Sequence, residues 1–377
     1  MKITKTSMFT LVSTFSFGLS FAQTDIINGG TMLNHIPYMV SIEDAFGSHG
    51  CGGIIISDRW ILTATHCFTQ GWTPTAVHAG SKNQMEDLVG QRISVETIYP
   101  HPQYAEFGAD YFIQNDVGLL YLSESLIFNA EVQPLKYASP CWFPNEDSYL
   151  SIGSAFLTGW GQTEDLNGSV PIIKGAFIPV ISVEEANDIY QDELGQSTDV
   201  IVTDQELPFF DGSTGSAQGS GDSGGPYRMR IGDNLYAVGI VSWSVHNFYG
   251  LNGLEVRPSV AAEVAYHADW IESICGFSSA SAGVDLYMKD QPWDMAYEPS
   301  EVQLPYLSDD IWIRNQPDGF SNDEHQNPVH DGVNPSYVYV RVRNNGCQDA
   351  QEGNLTLYWA KASTALSWPG RTFGTDR

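Results

Sequence analysis

Gly221-Asp222-Ser223-Gly224-Gly225-Pro226 is the most informative stretch of this 377-residue chain. Its glycines allow a tight turn in which the Ser223 hydroxyl lies beside unpaired backbone N–H groups. A hydroxyl nucleophile next to such donors is the arrangement that acyl transfer requires. A glycine-rich string can also form an ordinary turn, so the interpretation depends on a base and an orienting carboxylate elsewhere.

Two upstream segments supply those groups. Residues 60–67 (WILTATHC) form an apolar, strand-like run with His66 near its end, and residues 115–122 (NDVGLLYL) place Asp116 just before another apolar run. Taken singly, such a histidine or aspartate is more often structural. Their joint occurrence, in the chain order His66, Asp116, Ser223, predicts an intact catalytic site.

At these residues the chain resembles the chymotrypsin/trypsin-like serine proteases, which use the same chain order. The resemblance covers residues 26–275, and its further motifs are IING (26–29), PYMVSI (37–42), CGG (51–53), HPQY (101–104), TGWG (158–161) and VSW (241–243). It implies an all-β fold of two six-stranded antiparallel β-barrels, with the site in the cleft between them. Apolar residues at helical spacing within 260–275 predict a closing C-terminal helix.

The resemblance also implies a serine endopeptidase that acts on proteins or peptides through an acyl-enzyme intermediate, without a cofactor or metal. The backbone N–H groups of Gly221 and Ser223 would form the oxyanion hole, and Ser242 with Trp243 would pair with the substrate backbone. The alternative is a catalytically silent, protease-like binding or adhesion protein. The intact site residues argue against that alternative.

Substrate preference follows from the resemblance less directly. The residue six positions before the nucleophile, at the base of the primary pocket, is Ala217, and the walls would fall near Ser244 and Gly253. An uncharged floor disfavours Arg and Lys and predicts small to medium apolar side chains. Gly219 stands where relatives have a disulfide cysteine, so the pocket loop should be remodelled, and Gln218 could place a polar group inside it.

The N-terminus predicts an exported precursor. Basic residues followed by an apolar run ending at Ala22 are typical of a signal peptide (1–22), and no later segment is apolar enough to cross a bilayer. A propeptide (23–25) would follow. By resemblance, the freed amine of Ile26 pairs with Asp222 and forms the oxyanion hole. Relatives carry Arg or Lys before that amine; because this chain has Asp25, we expect a different activating peptidase.

Five cysteines in the chain fit an oxidising compartment, consistent with secretion. A bridge between Cys51 and Cys67 is expected from their spacing and from the resemblance. Cys141 is expected to pair with Cys275, which would leave Cys347 unpaired. Pairing of Cys275 with Cys347 is the competing choice, and the sequence does not separate the two.

The net charge is −28, from 45 acidic and 17 basic residues, which disfavours nucleic acid and anionic membranes as partners.

After a small-residue linker (276–283), residues 284–377 contain alternating strand candidates and weakly resemble the immunoglobulin-like β-sandwich modules appended to secreted hydrolases. Such an accessory domain would bind a surface, a protein or a glycan. The polar run 318–331 matches no standard metal-ligand spacing, so a solvated loop is favoured there.

Overall fold

The structure is a computed structural model. It describes residues 26–27, 29–32, 35–69, 71–83, 89–107, 112–163, 171–194, 202–232, 234–245, 247–249, 253–255, 257–280, 283–289, 291, 293–294, 308–329, 333–351 and 354–355. The predicted signal peptide (1–22) and propeptide (23–25) lie outside these residues. Within them, no helix combines the length and apolar character needed to span a membrane.

The first half of the chain forms a closed β-barrel. The strands of this half of the chain are β1 (Gly30–Thr31), which pairs with a strand of the second half, β2 (Met39–Glu43), β3 (His49–Ile55), β4 (Trp60–Thr63), β5 (Ala76–Ala79), β6 (Gln91–Pro100), β7 (Ala105–Phe107), β8 (Phe112–Gln114) and β9 (Gly118–Leu122). The barrel order is β2-β3-β4-β9-β6-β5, with every neighbouring pair antiparallel. β7 and β8 form a separate hairpin. The first predicted six-stranded barrel is therefore confirmed.

The second half is also mostly β. It contains β10 (Lys136–Tyr137), α1 (Glu146–Leu150), β11 (Ser154–Gly159), β12 (Lys174–Pro179), α2 (Val183–Leu194), β13 (Glu206–Phe209), β14 (Pro226–Ile231), β15 (Asn234–Ser244), β16 (Asn247–Tyr249), β17 (Gly253–Glu255), β18 (Ser259–Glu263) and α3 (Ala268–Cys275). Eight strands form one sheet, in which β12-β11-β14-β15-β18-β13 are consecutive. A single bridge between Val180 and Phe209 joins the two ends of this path. The arrangement is consistent with the predicted fold, although among the described residues this bridge is the only strand pairing that closes the second barrel.

The C-terminal helix is present but shorter than its apolar spacing suggested. Residues 259–263 form β18 between β15 and β13, and α3 begins only at Ala268. Val260 is fully buried in this central strand. A central strand is apolar on both faces, so its residues also fit a helical pattern, and tertiary pairing decides between the two.

One continuous hydrophobic core spans both halves, from Ile26 to Ile271. A smaller cluster packs Trp243 of β15 against Tyr190 of α2 and Ile113 of β8. This cluster joins the β7–β8 hairpin of the first half to the second half. The candidate site lies between the two halves and is fixed from both sides.

The residues after α3 form short ladders. β19 (Leu286–Tyr287) pairs with β22 (Arg343–Asn344), and β20 (Ile311–Arg314) pairs with β21 (Tyr337–Val340). Trp312 is only 1% exposed and stacks on Tyr339, so it is a packing residue. The immunoglobulin-like sandwich remains a prediction, because the described residues contain only these two separate ladders.

The disulfides confirm one expected pair and correct the other. Cys51 is bonded to Cys67, as expected. Cys141 is bonded to Cys347, with 5.5 Å between the two Cα atoms, and Cys275 is free. The Cys141–Cys275 prediction and its Cys275–Cys347 alternative were therefore wrong. Asn345 accepts a hydrogen bond from Lys136, which brings the chain around Cys347 alongside the connection that carries Cys141. Two segments more than 200 residues apart meet there, which no local pattern indicates.

Candidate active site

Strand pairing in the first barrel brings His66 and Asp116 together. Thr63 of β4 is opposite Gly118 of β9, so the chain leaving β4 and the chain entering β9 meet at one barrel edge. His66 lies in the short 3-10 turn Thr65–Phe68, and its Nδ1 is 2.6 Å from Asp116 Oδ2. The backbone N–H of His66 donates to Oδ1 of Asp116 at 2.8 Å. Asp116 therefore fixes both the position and the tautomer of the imidazole.

Asp116 is held in turn by the second half of the chain. The Ser242 hydroxyl of β15 donates to Oδ2 of Asp116 at 2.5 Å, and the carboxyl is 1% exposed. Burial alone would raise its pKa, but the charge and hydrogen bond of His66 outweigh burial and lower the pKa of Asp116 below 3.8. Burial likewise acts to lower the pKa of His66, and the Asp116 charge outweighs it, so that the pKa of His66 is raised above 6.5. The pair is arranged to stabilise an imidazolium.

Ser223 lies in a turn that is attached to the first barrel. The backbone N–H of Gly52 donates to the Ser223 carbonyl at 2.7 Å. Gly224 has a φ of 78°, and a Cβ there would be 2.1 Å from Thr63 Oγ1, so only glycine fits beside the strand that leads to His66. Ser223 and His66 share no hydrogen bond among the described contacts; such catalytic bonds often tighten only when substrate is bound.

Two backbone donors at this turn are available. Among the described residues, the N–H groups of Gly221 and Ser223 donate no hydrogen bond, and Gly221 has a φ of 99°, in the region that favours glycine. Donors left free in a rigid turn can stabilise a developing oxyanion without reorganisation.

His49 was not singled out from the sequence. Its Nε2 is 2.9 Å from the carbonyl oxygen of Gly221, and its Nδ1 is 2.8 Å from Ser41 Oγ. Burial lowers the pKa of His49, so the ring stays neutral and donates through Nε2 while the Ser41 hydroxyl donates to Nδ1. His49 thus orients the peptide that follows Gly221. The only sequence signal was its place two residues before Cys51.

The Ile26 segment and Asp222 are both buried, and the segment pairs with the chain shortly before Asp222. Ile26 is 1% exposed, and Ile27 pairs with Ala217. The fully buried Asp222 accepts hydrogen bonds from the backbone N–H groups of Gly161 at 2.7 Å and Gly219 at 2.8 Å. Burial outweighs these bonds and raises the pKa of Asp222 to about 6. A buried carboxylate without a cation among the described residues requires a positive partner.

Gln218 lies beside two of the predicted pocket residues, Ala217 and Trp243. Its Nε2 donates to the Trp243 carbonyl at 2.8 Å, and its Oε1 accepts from the Tyr227 hydroxyl at 3.2 Å. Ala217 precedes it and is 1% exposed. The backbone N–H of Gln218 also donates to Ser259 Oγ at 3.4 Å.

Ser259 joins this group through a strand pairing that the sequence did not indicate. It is paired with Ser244 across β15 and β18. Gly253 begins β17, which pairs with β16 in a hairpin beyond Ser244. The structure places Ala217, Ser242, Trp243 and Ser244 around the site, and it gives Gly253 no described contact with them.

Comparisons with known proteins agree with this geometry. A family model described as Trypsin matches residues 27–271. Trypsin 5G1 of Aedes aegypti is 34% identical over 245 residues, which cover 65% of this chain and 82% of that protein. Trypsin of Simulium vittatum is 33% identical over 265 residues (66% and 98%), and Trypsin-1 of Astacus astacus is 31% identical over 267 residues (66% and 99%). The chain therefore belongs to the trypsin family and is a serine-type endopeptidase.

Proposed function

We propose that Ser223, His66 and Asp116 hydrolyse peptide bonds through an acyl-enzyme intermediate. His66 accepts the Ser223 proton as the hydroxyl attacks the peptide carbonyl, then donates that proton to the leaving amine. Water repeats the attack on the acyl-enzyme with the same assistance and releases the carboxylic acid. Asp116 stabilises the imidazolium, and the free N–H groups of Gly221 and Ser223 bind the oxyanion. The two hydrogen bonds from His66 to Asp116 support these roles.

The proposed substrate preference is for small to medium apolar residues on the acyl side of the cleaved bond. The observation that carries it is the hydrogen bond from Gln218 to the Trp243 carbonyl, because it holds an uncharged side chain, next in sequence to the uncharged Ala217, against the strand that carries Trp243. A pocket without a buried carboxylate at its floor leaves a Lys or Arg side chain unpaired, which disfavours such substrates.

A peptide library tests this preference. We expect the activated protein to cleave after Ala, Val or Leu with a higher kcat/KM than after Arg, Lys or Trp. A fluorophosphonate probe should label Ser223 in the same sample, and a Ser223→Ala variant should show neither labelling nor cleavage. Dominant cleavage after Arg or Lys would contradict the proposed preference while leaving the endopeptidase assignment intact.

We also propose that the protein is secreted as a precursor, with a signal peptide (1–22) and a propeptide (23–25), and that an activating peptidase cuts between Asp25 and Ile26. The burial of Ile26 and the pairing of Ile27 with Ala217, five residues before Asp222, support this, because the freed amine would supply the positive partner that the buried carboxylate requires. N-terminal sequencing of the active secreted protein should begin at Ile26. A start at Gln23 would contradict the proposal.

Residues 284–377 are proposed to be an accessory domain that holds the enzyme to a surface, a protein or a glycan, joined by residues 276–283. Support comes from the two ladders beyond α3 and from the end of the family match at residue 271. Binding of the full-length Ser223→Ala protein to immobilised glycans and to whole cells would test this role. Failure to bind any of these surfaces would count against it.

A further inference from the structure

A cavity of about 320 Å³ lies where the residues after α3 meet the protease body, residues 26–275. Its walls include Tyr38, Lys136 and Arg228 from the protease body and Lys289 and Asp294 from the later residues. His66, Asp116 and Ser223 do not line it. The cavity is therefore separate from the active site.

The cavity concentrates positive charge in a chain whose net charge is −28. Three cationic side chains and one carboxylate line it. Lys136 is 5% exposed and donates to the amide oxygen of Asn345, a neutral partner. Burial first, and then the charge of Lys289, lower the pKa of Lys136 to about 8. The charge of Asp294 acts in the opposite direction but does not outweigh them. A buried ammonium group whose charged form is disfavoured in this way is stabilised by a bound anion.

Arg228 has no anionic partner among the residues that the structure describes. Its guanidinium carbon is 4.5 Å from the ring centre of Phe156 and 6.0 Å from that of Tyr38. Among the described residues, the half-buried guanidinium makes no ion pair, and its Nε has no hydrogen-bond partner. A guanidinium presents paired donors that match the oxygens of an oxyanion.

Tyr38 adds a second unused donor. The residue is 6% exposed, and its hydroxyl, which the Arg228 guanidinium approaches, has no hydrogen-bond acceptor among the described residues. Burial raises the pKa of Tyr38 to about 12 although the Arg228 charge acts against it, so the hydroxyl stays protonated. Buried donors normally have acceptors, and an acceptor is what this side of the cavity lacks.

We propose that this cavity binds a small oxyanion, of the size of inorganic sulfate or phosphate, held by Arg228, Lys136, Lys289 and Tyr38. Binding stabilises the contact between the protease body and the residues after α3, because both contribute cations to the site. The ligand therefore acts as an electrostatic link between two parts of the chain. The Cys141–Cys347 bridge connects the same two parts covalently.

Isothermal titration of the full-length Ser223→Ala protein tests the site, with sodium sulfate, sodium phosphate and sodium acetate at an ionic strength held constant with sodium chloride. We expect saturable binding of sulfate or phosphate with one site per chain. Arg228→Gln should weaken it at least roughly tenfold, as expected for loss of a charge-assisted contact, and Tyr38→Phe should weaken it less. Tight binding of acetate alone would identify the ligand as a carboxylate and overturn the proposal of a sulfate-sized or phosphate-sized oxyanion.

Arg230→Gln is the matched control, because Arg230 lies two residues further along β14 and is exposed. It removes the same charge and should leave binding unchanged. Equal weakening by Arg230→Gln and Arg228→Gln, or the absence of saturable binding in the unsubstituted cavity, would overturn the proposal. Should Arg228→Gln unfold in a thermal melt, Lys289→Gln provides an independent variant, and unchanged binding in it would also contradict the site.

Discussion

Gln218 connects two strands of the second half of the chain, because its Nε2 donates to the Trp243 carbonyl at 2.8 Å while its Oε1 accepts from Tyr227. One of these strands, β15, carries Trp243 and Ser244 of the proposed primary pocket. The polar ends of this side chain are already occupied by protein groups, so in the proposed pocket Gln218 would contribute bulk rather than a free polar group. Substrate selection should therefore depend on Gln218 more than on any charge.

Replacing Gln218 with alanine should deepen the pocket. We expect kcat/KM for peptides with Phe or Leu at the cleaved position to rise roughly tenfold relative to those with Ala, the lower end of the effect of one methylene in an apolar pocket. Steady-state kinetics on matched peptides would measure this ratio. Gln191→Ala, at an exposed position on α2, is the control and should not change it. An unchanged ratio in Gln218→Ala would remove Gln218 from the specificity pocket.

The loss of kcat/KM at low pH should follow the raised pKa of His66. The imidazole must be neutral to accept the Ser223 proton, so activity is lost as the pH falls through that pKa, which lies above 6.5. Asp116→Asn should lower the pKa and reduce kcat by roughly 10⁴-fold. Proton NMR titration of the imidazole in both proteins measures the shift directly. An imidazole that titrates at the same pH in both would contradict the proposed role of Asp116.

Acid stability should depend on His267, which precedes α3 and is 3% exposed beside His101. Burial first, and then His101, lower its pKa to about 3, with Asp116 acting in the opposite direction. Between this pKa and 6.5 the unfolded chain binds more protons than the folded one, so stability falls as the pH drops through that window.

His267→Phe should therefore show a smaller loss of Tm between pH 6.5 and pH 4 than the unsubstituted protein, as measured by thermal melts. His325→Phe is the matched control, because His325 is exposed, and it should leave the slope unchanged. Equal slopes in all three proteins would show that His267 does not control acid stability.

The disulfide pairing can be tested by peptide mapping. Mass spectrometry of peptides from the unreduced protein should contain Cys141 linked to Cys347, and Cys275 should be alkylated without prior reduction. Loss of the long-range bridge in Cys347→Ser should reduce the free energy of unfolding by about 2–4 kcal/mol. Cys275→Ser should leave it nearly unchanged. A peptide that joins Cys275 to either of the other cysteines would contradict this pairing.

A feature of the site could be predicted from the sequence when its residues lie close together in the chain. His66, Asp116 and Ser223 each occupy a short motif, so their order predicted the fold and the residues that the structure brings to the cleft. Ser259 reaches the site through strand pairing with Ser244, and no local motif marks it. His49 reaches the site through its contact with Gly221, and its only sequence signal is its position two residues before Cys51. Cys347 meets Cys141 across 206 residues, and sequence spacing carries no information about such a meeting. An apolar residue such as Val260 fits both a helical and a strand pattern, and its burial in the sheet determines that it lies in a strand.

Activation supplies the sharpest test of the relationship between Ile26 and Asp222. Ile26 has a φ of 28°, which is strained for a β-branched residue, and Asp222 is buried without a cation among the described residues. Cutting the Asp25–Ile26 bond should relieve the strain and supply the cation. An Asp25→Lys variant lets trypsin make that cut. We expect the rate of fluorophosphonate labelling of Ser223 to rise at least roughly 100-fold after cleavage, the scale of losing or gaining an oxyanion-hole donor.

Addition of Asp222→Asn to the Asp25→Lys protein provides the control. The cut should proceed as before, with Ile26 confirmed by N-terminal sequencing, but labelling should stay slow, because the new amine no longer has a charged partner. Labelling that is equally fast before and after the cut would mean that Ser223 and its backbone donors are already arranged in the precursor. In that case the buried carboxylate of Asp222 would be satisfied by the N–H groups of Gly161 and Gly219 alone.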